Sequence, residues 1–144
     1  MIAVICLDDN NGMLFNNRRQ SRDKAVICDL IEYSNDSKVL INEFSKSLFI
    51  EYENSVLISD NFLSESKEND ICFVENVDLT EFEVEINKLI IYHWNRVYPA
   101  DFYFNLDLSS FKLLEAKEFK GNSHDKITRE IYSLWKNILN YSVF

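Results

Sequence analysis

Glycine occurs only twice in this chain, as Gly12 and Gly121, and proline once, as Pro99. That scarcity limits what the backbone can build. Glycine is the usual residue where a main chain must pass close to a ligand, as it does around phosphates. Long flexible linkers and glycine-built phosphate loops are therefore not expected. No P-loop, dinucleotide fingerprint or nucleophile elbow is present. What remains is a series of short apolar segments parted by polar turns, spread over 144 residues. One domain over 1–144 suits that length. Hydrophobic residues make up 47%, with eleven Phe, seven Tyr and two Trp, enough to fill one core.

The net charge of −9 disfavours direct binding to nucleic acid or to an anionic membrane surface. It suits solubility, or a surface that competes with nucleic acid for a basic partner. No apolar run approaches the roughly 20 residues that span a bilayer. The start, MIAVICLDD, lacks a basic leader and a cleavage site. Cys6, Cys28 and Cys72 are odd in number and far apart, with no C-x-x-C pair. Buried, reduced thiols are expected, without a disulfide framework or a zinc site, which points to the cytoplasm.

Ile2 to Leu7 reads as a buried strand closed by the turn Asp8 to Gly12. Met13 to Phe15 is a second apolar patch. Ser21 or Asp23 is placed to cap a helix from about Arg22 to Tyr33, with Val26, Ile27, Leu30 and Ile31 on one face. Strands are expected at Lys38–Asn42, Val56–Ser59, Ile71–Val74 and Leu89–Trp94, with a short helix at Ser45–Phe49. Phe82, Ile86 and Leu89 suggest a helix over Leu79–Leu89. Tyr103–Leu106 and Phe111–Phe119 read as later strands. The end fits two patterns, and a strand near Lys126–Tyr132 with a helical tail is the expectation. Strands alternating with helices imply an α/β fold with a mostly parallel sheet. The strand-rich last third implies antiparallel additions at one edge.

That order resembles dihydrofolate reductase over nearly the whole chain. IAVICLDDNNGML looks like the family's first strand and active-site loop. Asp23 falls near the family's substrate-binding carboxylate. KVLINEFSKSLF, VLIS, KLIIYHW and ADFYF resemble successive elements, and EFKGNSHDKITREIY is similar to the closing hairpin, with Asn122-Ser123-His124 especially close. The resemblance implies a three-layer α/β fold. It also exposes departures. The region of the family's paired glycines reads CFVENVDL here, and Asn42-Glu43 stands for the Gly-Arg pair that receives the cofactor phosphate. The loop's Pro-Trp is missing, and the segment of the substrate-binding arginine reads YENSV. Together these imply a degenerate NADPH site and no bound cofactor. The chain is also similar to a small Firmicutes group that often carries the label ribonuclease Z. That enzyme needs an H-x-H-x-D-H metal motif, which His93 and His124 alone cannot build.

Candidate site residues follow. Asp23 at a cleft could hold a protonated heterocycle and deliver a proton, or simply cap a helix. Arg18, Arg19, Arg22 and Lys24 are the one dense basic cluster and could grip a phosphate or carboxylate. His93 and His124 could serve as an acid–base pair for metal-free phosphodiester cleavage, or as structural histidines. Tyr92, Trp94, Tyr98 and Tyr103 surround Pro99 as a pocket lining or as core, with Tyr92 read as a cleft wall. Glu75, Asp78, Glu81, Glu83 and Glu85 read as a solvated acidic face, with no calcium-loop spacing. No metal site is expected.

The expected role is non-catalytic or regulatory binding through the former active-site cleft, by Asp23, Arg18, Arg19, Arg22 and Tyr92. The partner would be another protein, a small anionic or heterocyclic ligand, or a second copy in a homodimer. One alternative is an inhibitor of a nucleic-acid-binding defence protein, like a phage anti-defence or anti-CRISPR factor. The other is a divergent enzyme, either a pterin or nucleotide reductase or a metal-free ribonuclease, with Asp23 and His124 as the candidate catalytic residues.

Overall fold

The computed structural model describes the backbone of residues 1–142 and the side chains of residues 1–138. Strand β1 (Ile2–Leu7) is almost wholly apolar because both of its faces are covered. Ala3, Ile5 and Leu7 enter one core, while Val4 enters a second core on the other side. This period of two sets the layers of the molecule. Strands β2 (Gly12–Phe15) and β3 (Arg18–Arg19) follow, then helix α1 (Lys24–Ser34), capped by Asp23. Next come β4 (Val39–Ile41), a 3-10 segment over Glu43–Ser55 kinked at Phe49 and Tyr52, β5 (Val56–Ile58), the single turn α2 (Phe62–Glu65) and β6 (Ile71–Phe73). The chain ends with β7 (Lys88–His93), β8 (Phe102–Tyr103), β9 (Phe111–Phe119), β10 (Ile127–Leu134) and helix α3 (Trp135–Ser142).

Seven strands form one sheet in the order β5-β4-β6-β1-β7-β10-β9. The first five run parallel, and β10 pairs antiparallel with both β7 and β9. A second, three-stranded sheet has the order β3-β2-β8. The expected mostly parallel sheet with an antiparallel edge is what the chain forms. Val26, Ile27 and Leu30 of α1, with Phe49, cover one face and pack with Phe73 and Ile90 of the sheet. Phe62 and Leu63 of α2, with Leu79, Phe104 and Phe111, cover the other. Among the described residues, no helix is long and apolar enough to cross a membrane.

Three sequence expectations need correction. The helix over Leu79–Leu89 is only a 3-10 turn, Leu79–Glu85. Asn87 N–H donates to Met1 O, which draws the chain into the ladder beside β1 before a helix can extend. The strand at Tyr103–Leu106 stops at Tyr103, because Phe104 and Leu106 turn into the core. Cys28 is exposed on α1, whereas Cys72 is buried and burial pushes its thiol up to about 11. At the carboxyl end the alternation wins over the helical pattern. Ile127, Arg129, Ile131 and Ser133 face inward, and main-chain bonds to two neighbouring strands hold them there.

Tyr92 is not a cleft wall. Its ring is fully buried between α1 and the sheet, and its hydroxyl donates to Asp29 Oδ2 at 2.6 Å. Arg129 donates to the same carboxylate oxygen at 2.8 Å and to Glu115 at 2.7 Å. Burial, then the neighbouring Asp29, pushes the Tyr92 phenol far up, so it stays a donor. This cluster ties α1 to the antiparallel edge. Removing the carboxylate would leave a buried guanidinium with one partner lost. Asp29→Ala is expected to lower stability by about 3 kcal/mol. Urea unfolding at pH 7 checks this, and a loss within error of zero would refute the role.

Left-handed backbone is carried by Asn and Asp. Asn11, Asn16, Asn17, Asn35, Asp36 and Asn95 all have φ between 47° and 71°, and neither glycine has a positive φ. The two glycines serve close approach instead, as the next section describes.

Candidate functional site

The carboxyl ends of the parallel strands open on one edge of the sheet, where ligands of such folds sit. Leu7 leads to Asp8, Ile41 to Asn42, Phe73 to Val74 and Glu75, and His93 to Trp94. Asp8 is buried and organises the first turn. It accepts from Asn10 N, Gly12 N, Tyr98 N and Gln20 Nε2 at 2.7 to 3.1 Å. Burial pushes its pKa up, but these bonds outweigh it and hold the carboxyl below its ordinary range.

Asp23 stands before α1 with a side chain fully withdrawn from solvent. Oδ1 accepts from Ala25 N at 2.9 Å and from Asn122 N at 2.7 Å. Oδ2 accepts from Ser123 N at 2.9 Å and lies 2.8 Å from His124 Nδ1. Burial alone would raise the pKa, yet the bonds from Asn122, His124, Ser123 and Ala25 bring it to about 2. The hairpin between β9 and β10 therefore folds onto Asp23. Gly121 permits this, because a Cβ there would lie 2.6 Å from Asp23 Oδ2 and 2.7 Å from His124 O.

His124 is held on every side. Its ring stacks on Trp94 with centroids 4.7 Å apart and planes at 21°. Nε2 lies 3.1 Å from Ser21 Oγ and 3.0 Å from Tyr98 OH. An ionised Asp23 accepts a hydrogen bond from Nδ1–H, which leaves Nε2 as the acceptor. Ser21, Asp23 and Trp94 line a cavity of about 20 Å³, close to the space one water needs.

At the other end of the cleft, Arg19 and Glu75 form a forked ion pair at 2.9 and 3.0 Å. Arg19 also donates to Phe44 O and Ser47 Oγ, and Ser45 Oγ donates to Glu75 at 2.7 Å. Charge and donors there are spent within the chain. A larger groove, about 260 Å³, runs between α1 and the 3-10 segment. Ile27, Leu48, Ile50 and Tyr52 give it apolar walls, and Arg22 and Lys24 stand on it beside Glu51. Arg22, Asp23, Ile27 and Leu48 border both spaces, so the two adjoin.

This strand order and this crevice define a dihydrofolate-reductase-like fold. Neither a protein-family model nor a curated protein matches the chain. Among solved structures, it is similar to dihydrofolate reductase from Enterococcus faecalis complexed with NADP(H) and RAB-propyl. The TM-score is 0.67 over 93% of this chain and 95% of that one, at 9% identity. The likeness is one of fold.

The expected basic cluster is divided. Arg18 is exposed beside Phe15 and Pro99, Arg19 turns inward to Glu75, and only Arg22 and Lys24 reach the groove. His93 and His124 do not share a partner, because His93 pairs with Glu130. Trp94 is buried against His124, whereas Tyr103 is exposed. Among the acidic residues, Glu75 belongs to the cleft, and Glu81, Glu83 and Glu85 face solvent. Sequence reasoning left Ser21 as a helix cap and Glu75 as a surface acid. The signal for the first was Gly121, one of only two glycines, directly before Asn122-Ser123-His124.

Two outcomes test the site's architecture. The Asp23 pKa lies below its ordinary value of 3.8, so its stabilisation is present above about pH 4 and lost as pH falls through about 2. Asp23→Asn is expected to cost about 2 kcal/mol at pH 7, with the gap to the parent closing near pH 2 in urea unfolding curves. Gly121→Ala should cost about 1–3 kcal/mol by forcing the hairpin off Asp23, read as a lowered Tm.

Proposed function

We propose that this chain is a binding protein on a reductase-like fold, with its dinucleotide site lost. Its groove between α1 and the 3-10 segment would take a small aromatic or heterocyclic anion. The single observation that carries this is the forked Arg19–Glu75 pair. It fills the cleft at the glycine-free segment after β6 with a carboxylate that repels phosphate. Glu43 adds an exposed negative charge where the resemblance expects an arginine. Asp23 supports the same reading, since all its bonds go to its own chain and none is left for a ligand ring. The groove is the larger space and has apolar walls with Arg22 and Lys24 beside them.

Arg22 would pair with the ligand's anionic group, and Ile27 and Tyr52 would cover its ring. Fluorescence titration with NADPH is expected to show no saturable binding. Calorimetric titration with aryl carboxylates such as benzoate should show saturable binding that Arg22→Ala weakens about tenfold. Saturable NADPH binding would overturn the reading.

The net charge of −9, with Glu81, Glu83 and Glu85 exposed around a solvent-facing Val84, favours one second reading. There the acidic surface would occupy a basic nucleic-acid-binding protein, as an anti-defence inhibitor does. Capture of a basic nuclease from the native cytoplasm, released by salt, would support it.

A further inference from the structure

We propose that Ser21 is an acyl-accepting nucleophile activated by His124 and Asp23, and that the cleft hydrolyses small carboxylic esters. This goes beyond the binding reading, and only the seat of the acyl group rests on the groove named there. Ser21 Oγ lies 3.1 Å from His124 Nε2, and His124 Nδ1 lies 2.8 Å from Asp23 Oδ2. A hydroxyl, a base and an orienting acid need this order and these spacings. The same three roles recur on unrelated folds, so chain order is no guide.

The proton positions follow from charge. Ionised Asp23 fixes the Nδ1–H tautomer, and the Nε2 lone pair then points to the hydroxyl side. Backbone N–H groups from Ala25, Asn122 and Ser123 hold the carboxylate, so the imidazole is anchored by two parts of the fold. Trp94 fixes the ring plane. The base and acid side chains are 2% and 0% exposed, whereas Ser21 is half-buried and lines the cleft cavity. A sheltered base beside a reachable hydroxyl is more than helix capping requires, since Asp23 already caps α1.

The substrate class follows from the walls. The small cavity admits a carbonyl oxygen, and the adjoining apolar groove admits an aryl or short alkyl acyl group. Arg22 borders both and would supply positive charge to the oxygen that becomes anionic. In the first step Ser21 Oγ bonds to the carbonyl carbon while its proton passes to Nε2. The ester C–O bond then breaks, and the leaving alcohol takes that proton. Water attacks the acyl-serine, gives a proton to Nε2, and the acid leaves as the Ser21 hydroxyl is restored. No oxidant or reductant enters.

Tyr98 OH lies 3.0 Å from Nε2 and 3.4 Å from Ser21 Oγ, so it competes for the same lone pair. It restrains the nucleophile, and its removal should release it.

The test treats the full chain with a fluorophosphonate and maps the adduct by mass spectrometry. Hydrolysis of 4-nitrophenyl acetate and butyrate is followed in parallel. The expected result is one phosphonyl group on Ser21. Ester turnover should fall by about 100-fold or more in Ser21→Ala and rise several-fold in Tyr98→Phe. Labelling of the parent needs no variant, so a misfolded variant leaves the question decidable. A parent unlabelled at Ser21, or a folded Ser21→Ala that hydrolyses the esters at the parent rate, would overturn the proposal.

Discussion

The carboxylate of Asp23 holds helix α1 and the hairpin between β9 and β10 together around the cleft. It caps α1 through Ala25 and receives the far hairpin through Asn122, Ser123 and His124. Each of these contacts removes a donor or acceptor that burial would otherwise leave costly. The position of His124, its stacking on Trp94 and its alignment with Ser21 all follow from that anchor. A carboxylate this well satisfied stays charged in the interior, which makes it a fixed electrostatic reference for everything near it.

The opposite end of the cleft obeys the same logic. Arg19 and Glu75 neutralise each other, and Ser45, Ser47 and the Phe44 carbonyl occupy the remaining fork positions. A ligand phosphate arriving there would have to break a forked pair and face the freed carboxylate. Internal partners thus take up the polar groups at this end of the crevice. The groove beyond Leu48 differs, since Ile27, Leu48, Ile50 and Tyr52 give it apolar walls between its charged residues.

Much of the fold was legible because apolar spacing reports burial directly. Ile2 to Leu7, Val39 to Ile41 and Leu89 to Ile91 are continuous apolar runs, and they form the covered parallel strands. The failures share a cause. Ile86 and Leu89 have helical spacing from Phe82, yet Ile86 sits where the chain must enter β7, and the ladder overrides the spacing. The site was half legible. Asp23 and His124 were visible as candidates, but their meeting depends on a hairpin 101 positions away. The placing of Tyr92 and Arg19 was hidden for the same reason. Each has a charged partner, Asp29 or Glu75, that sequence distance hides.

The turns built on Asn and Asp carry a wider consequence. A glycine at such a corner adds conformations to the denatured chain, and folding must then surrender them. Side-chain-bearing residues at Asn11, Asn16, Asn17, Asn35, Asp36 and Asn95 leave the denatured ensemble narrower from the outset. What the disordered chain cannot do thus offsets part of the cost of holding side-chain-bearing residues in left-handed backbone, outside any contact of the native state.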